Sequence, residues 1–151
     1  MYDDILVPTD GGDGVDRVLD HALDIATHRD ARIHALYVVD TRSFLTLDDA
    51  TVDDVVAELE ETGKTATETV AERARDEGLE AITEIRRGNP SEVVLDYLYE
   101  TEMDLVVMGH HDERDQRAML GSVAEEVVSK SSVPVLTVQI DGAASGAGIV
   151  E

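Results

Sequence analysis

Short apolar runs alternate with longer amphipathic stretches along this chain, and the alternation predicts strands and helices in turn. Ile5, Leu6 and Val7 form the first run, ended by Pro8 and a turn-forming loop from Thr9 to Gly14, with Asp13 placed to cap the next helix. Val15, Leu19, Ala22, Leu23 and Ala26 share one helical face, and Asp16, Arg17, Asp20 and Asp24 lie outward. Ala31 to Val39 is a second strand. Asp40 to Ala50 has no clear period and reads as a loop. Val52, Val55, Val56, Leu59, Gly63, Ala66, Val70 and Ala74 then trace one stripe of a long helix, stopped by Gly78. A glycine inside a helix costs about 1 kcal/mol, so Gly63 predicts a close neighbour. Leu79 to Arg87 is a more polar strand, as suits a sheet edge. Asn89-Pro90-Ser91-Glu92 combines an N-cap, a proline at the first helical position and a glutamate that closes a capping box. Val93, Val94, Tyr97 and Leu98 continue that helix. Leu105 to Met108 is a buried strand, Val123, Ala124, Val127 and Val128 return to helical spacing, and Val133 to Val138 is the last strand.

Strands alternating with helices imply an α/β fold: a single-domain, five-stranded parallel sheet with helices on both faces. The doubly wound order 3-2-1-4-5 fits this succession, and its ligand crevice lies at the carboxyl ends of strands 1 and 4, where the order reverses. Those ends carry Pro8-Thr9-Asp10 and Met108-Gly109. The domain is expected to span 1–140, with 141–151, rich in Gly and Ala, a disordered tail.

Charge narrows the setting. The 151 residues include 34 acidic and 12 basic ones, a net charge of -22, and the only lysines are Lys64 and Lys130. The acidity is spread along the chain, which points to a surface adapted to high salt. It argues against duplex nucleic acid as a partner, because phosphate binding needs clustered Lys and Arg. There is no cysteine, so disulfide and thiolate chemistry are excluded. No apolar run reaches membrane length and no secretory leader is visible, so no membrane association and a cytoplasmic location are expected.

The stretch between the fourth and fifth strands holds the candidate chemistry. After Gly109 comes a charged loop, then Gly121-Ser122 before a helical pattern. Free amides at a helix start, aided by the dipole, can hold an anion. Gly121 would admit a phosphate to the backbone and the Ser122 hydroxyl could donate to it. The alternative makes Ser122 a simple N-cap. His110, His111, Asp112 and Glu113 could ligate a metal, but adjacent histidines on an extended loop point apart and no spaced third ligand is evident. His21, His28 and His34 read as surface or helix-end residues, and Tyr97 and Tyr99 as packing and rim residues. No nucleophile and base stand in a pattern that predicts a hydrolase, and no catalytic residue is assigned.

Six segments together resemble the universal stress protein family: ILVPTDGG at Ile5 to Gly12, YVVD at Tyr37 to Asp40, GNPSEVV at Gly88 to Val94, DLVVMG at Asp104 to Gly109, LGSVAEEVV at Leu120 to Val128 and PVLTV at Pro134 to Val138. The resemblance implies a nucleotide-binding-like fold, a homodimer joined through the last strand, Val133 to Val138, and ATP as ligand, with Mg or Mn beside it. It places Pro8, Thr9, Asp10 and Val38 around the adenosine, Met108 and Gly109 on the pocket floor, and Gly121, Ser122 and Val123 on the phosphates. The family motif has the form G-x2-G-x9-G-[ST]. Here Asp112 stands where its second glycine belongs, and the spacing to Gly121 is one residue short. An aspartate there brings negative charge toward an anion, with Glu113 and Asp115 adding to it and Arg114 and Arg117 partly opposing it. Two readings therefore stand: a stress-response module that binds ATP or a related nucleotide, with at most slow hydrolysis, and an interaction protein with a vestigial pocket. A third, an enzyme for small phosphorylated metabolites, gains only the fold, which does not fix function.

Overall fold

A computed structural model describes residues 2–44, 47–110 and 119–140. Five strands, β1 (Asp4–Pro8), β2 (Arg32–Asp40), β3 (Ala81–Gly88), β4 (Leu105–His110) and β5 (Val135–Gln139), form one parallel sheet in the order β3-β2-β1-β4-β5. Helices α1 (Val15–Arg29) and α2 (Asp49–Asp76) pack together on one face, α3 (Pro90–Thr101) and α4 (Met119–Lys130) on the other. The expected α/β architecture and strand order are thus observed, with β3 and β5 at the edges.

The central strands are apolar along both faces because helices cover both. Ile5, Leu6, Val7, Ile33, Leu36, Val106, Val107 and Met108 are essentially inaccessible. From α1, Val18, Leu19, Ala22, Leu23 and Ala26 are buried, the predicted stripe with Val18 in place of Val15. Gly63 has the close neighbour its cost implied: a Cβ there would lie 2.9 Å from Cδ1 of the Tyr37 ring. Asn89 caps α3, its side chain accepting from the Ser91 amide, with Pro90 opening the helix.

Several local expectations need correction. Asp13 does not cap α1; the N-cap is Gly14, with no side-chain cap, because Asp10 and Thr9 instead turn back on Gly12 and Gly11. The stretch after Asp40 is not shapeless: Thr41–Phe44 is a 3-10 turn, begun by the Asp40 carboxylate accepting from the Arg42 amide at 3.0 Å, and α2 starts at Asp49 behind the N-cap Asp48. Gly121 and Ser122 lie inside the first turns of α4, which begins at Met119, so Ser122 is not an N-cap. The last strand runs from Val135 to Gln139, where Val133 to Val138 was expected, because Ser131 and Val133 close a turn first: the Ser131 hydroxyl donates to the Val133 carbonyl and accepts its amide. His34 is buried within β2, not at the surface.

Candidate functional site

The site begins with a parting of the two central strands. β1 pairs with β4 at Ile5 with Leu105 and at Leu6 with Val106. On its other side β1 stays paired with β2 as far as Pro8 with Leu36, and β4 stays paired with β5 as far as His110 with Gln139. Beyond Leu6 and Val106 the strands diverge toward different neighbours, opening a crevice at their carboxyl ends. This is the switch point of the sheet.

Register decides which side chains share it. Leu6 pairs with both His34 and Val106, so the three project to one face, and His34 contacts Tyr97 of α3. Alternation along each strand then puts Pro8, Val38 and Met108 on that same α3/α4 face. Met108 is fully buried, and Val38 is half-buried. Helix α4 connects two parallel strands, so its first turn, with Gly121 and Ser122, stands at the carboxyl end of β4, where the start of a helix offers amides that have no partner within the helix. Val123, next in the helix, is buried. Of the nine residues expected at the site, Pro8, Val38 and Met108 therefore share a face, and Gly121, Ser122 and Val123 belong to the helix over it. Gly109 points the other way, toward Val18 of α1.

Thr9 and Asp10 form the rim. The Thr9 amide donates to the Leu36 carbonyl at 2.9 Å, its Oγ1 accepts the Gly11 amide at 3.1 Å, and Asp10 Oδ1 accepts the Gly12 amide at 2.8 Å. Asp10 is exposed and near enough to Tyr37 that its charge, after burial, raises the phenol's pKa. On the far side of this loop a cleft of about 440 Å³ lies against α2, lined by Thr9, Gly12, Asp13, Asp16, Thr62 and Thr69 among others. It shares Thr9 with the crevice but opens on the α1/α2 face. The hydroxyl row of α2 was not foreseen, although its helical spacing was visible. Two further neighbours of the crevice carry no signal in the sequence: Gly14, one residue before the first predicted helix, and Ile140, two residues past the predicted end of the last strand. His111, Asp112, Glu113, Arg114, Asp115 and Arg117 lie outside the described residues. Among the described residues no three acidic or histidine side chains gather into a metal cluster, and no helix is long and apolar enough to cross a membrane.

Comparison with known proteins agrees with the fold. A universal stress protein of Methanocaldococcus jannaschii is 35% identical over 141 residues, covering 92% of this chain and 83% of that one. The solved structure of the hypothetical protein MJ0577, from the same organism, superposes with a TM-score of 0.79 at 28% identity, covering 92% of this chain and 96% of that one. A universal stress protein solved in complex with cAMP shares the fold, with a TM-score of 0.69 at 23% identity over 92% of this chain and 98% of its own. Residues 1–139 match the family model described as the universal stress protein family, and the chain is a member of that family.

Proposed function

We propose that the crevice between the ends of β1 and β4 binds ATP or a closely related adenine nucleotide, and that the protein acts in stress response as a homodimer joined through β5. The parting of β1 and β4 under the first turn of α4 carries the reading. It sets an apolar wall, Pro8, Val38 and Met108, beside a helix N-terminus, so a flat base and an anionic tail each have a partner. A family member with the same fold was solved with cAMP, which supports an adenine nucleotide as the class of ligand. Asp10, exposed beyond the end of β1, would lie near the ribose or a phosphate-bound metal.

A divalent cation fits only as a companion of the phosphates. The rim supplies Asp10, and the described residues offer no set of ligands that would hold a metal unaided. Such a cation would offset the charge of the phosphates against the acidic rim; Asp10 would share it with them.

The acidic loop favours a second reading. Asp10, Asp13 and Asp16 flank the β1 end, and Asp112 replaces a motif glycine. An unshielded anion would be repelled there, leaving a protein that works by contacts alone. Mass spectrometry of the ligand released on denaturing the purified full chain separates the two. An adenine nucleotide is expected; none, with no exchange for added ATP, would favour the second.

A further inference from the structure

Ile140 follows the last residue of β5 and is buried. Its amide donates to the His110 carbonyl at 3.0 Å, carrying the β4–β5 ladder one step further. Its side chain lies against two glycines from different elements. A Cβ on Gly14, the N-cap of α1, would stand 2.6 Å from Ile140 Cβ and 2.8 Å from its Cδ1. A Cβ on Gly109 would stand 2.8 Å from the same Cδ1 and 3.1 Å from Val18 Cγ2. Gly14 closes the loop that leaves β1, and Gly109 belongs to β4. Ile140 therefore touches both banks of the split, from the face opposite Pro8, Val38 and Met108.

We infer that Ile140 is a positioning residue for the crevice: wedged between Gly14 and Gly109, it sets how far apart the ends of β1 and β4 stand. A close-packed interior has no slack to absorb a change at this point, so it passes to the strand ends. The inference rests on the proposed nucleotide site for its ligand, but the wedge itself rests on packing. It also gives the two glycines a reason that does not involve ligand contact.

A size-swap cycle in the full chain tests this. Ile140→Val deletes Cδ1 and keeps Cβ. Gly109→Ala alone is expected to weaken ATP binding by about tenfold, as modest overpacking of a core would. It should also speed hydrogen exchange of the Thr9 amide, on the far bank. Adding Ile140→Val should bring both back to within about threefold of the parent, since the clashing atom is gone. Gly14→Ala should not be rescued by Ile140→Val, because its nearest contact is the Cβ that valine retains. Failure of Ile140→Val to rescue Gly109→Ala would overturn the inference and mean that the new methyl acts on the ligand directly. If the parent itself binds no ATP, the nucleotide reading fails separately. Thr9 exchange, measured without ligand, then decides: the same pattern supports the wedge, and unchanged exchange across all variants overturns it. Should Gly109→Ala not fold, Ile140→Ala, which opens space instead, must still speed Thr9 exchange.

Discussion

His34 Nδ1 lies 2.8 Å from the Tyr97 hydroxyl and His34 Nε2 3.0 Å from Asp4 Oδ1, with the imidazole buried between β1 and α3. A carboxylate only accepts, so Nε2 carries the hydrogen toward Asp4; in the neutral ring Nδ1 then accepts from the phenol. Tyr97→Phe leaves a buried nitrogen without that partner and should cost about 1–3 kcal/mol in urea unfolding. An unchanged midpoint would show that the bond adds nothing. Burial alone would raise the Asp4 carboxyl, but hydrogen bonds from Arg32 and His34 outweigh it and hold the pKa below the ordinary value. A depressed carboxyl stabilises the fold above its unfolded pKa, and the benefit disappears as pH falls through the folded one. Asp4→Asn should therefore lower the melting point at neutral pH and converge with the parent below about pH 4. A constant gap across that range would contradict the sign. None of this was legible in the sequence, because His34 sits inside an apolar run and its phenol partner lies 63 positions away. Gly63 was legible, since a glycine in a helix interior is costly unless something occupies its space. Gly63→Ala gains helix propensity of about 1 kcal/mol but drives a methyl into the Tyr37 ring, which overpacking values of about 1–3 kcal/mol outweigh. Net destabilisation is expected by thermal melt, and relief when Tyr37→Leu is added.

Hydrophobic period places the elements of this chain wherever it is strong. β1, α1 and β4 carry unbroken apolar stripes, and α2 one interrupted by Gly63 and the buried Thr67; all four emerge at nearly the expected residues. Boundaries failed where short polar bonds override the pattern, as Asp40 with Arg42 does at the end of β2. The start of α4 was missed for another reason: Gly121-Ser122 resembles a helix entrance, yet the helix begins before it. The proposed phosphate site does not require Ser122 to be the cap, because the early amides of a helix lack internal partners. β5 is an edge strand with Leu136 exposed and Val135 half-covered, and a bare apolar edge invites pairing. The proposed homodimer joins two such edges about a two-fold axis. Val135→Lys should give monomers in molar salt by light scattering. A monomeric parent at micromolar concentration would remove the dimer from the account.

At the scale of the whole molecule, charge dominates. The basic groups Arg32, Arg42, Lys64, Arg73, Arg75, Arg86, Arg87 and Lys130 each meet a carboxylate, and Arg73 reaches both Asp16 and Asp20. With 34 acidic residues to 12 basic ones, most of the negative charge is still unbalanced. Self-repulsion at low ionic strength should destabilise the fold, and at 1 M salt it is screened to about 3 Å. The melting point should therefore rise from dilute buffer to molar KCl; a flat or falling curve would refute the adaptation to salt. The strand order and the crevice's place were legible because alternation fixes a doubly wound sheet and the sheet fixes its switch point. Affinity was not legible, since it depends on the balance between an acidic rim and the α4 amides. Calorimetric titration of ATP with Mg into the full chain in molar KCl tests the central claim directly. Saturable binding tighter than about 1 mM, some −4 kcal/mol, is expected. Gly121→Val should abolish it and Asp112→Gly should strengthen it by about tenfold once salt has screened the removed charge. No binding to the parent or to Asp112→Gly at millimolar ATP would contradict the nucleotide reading.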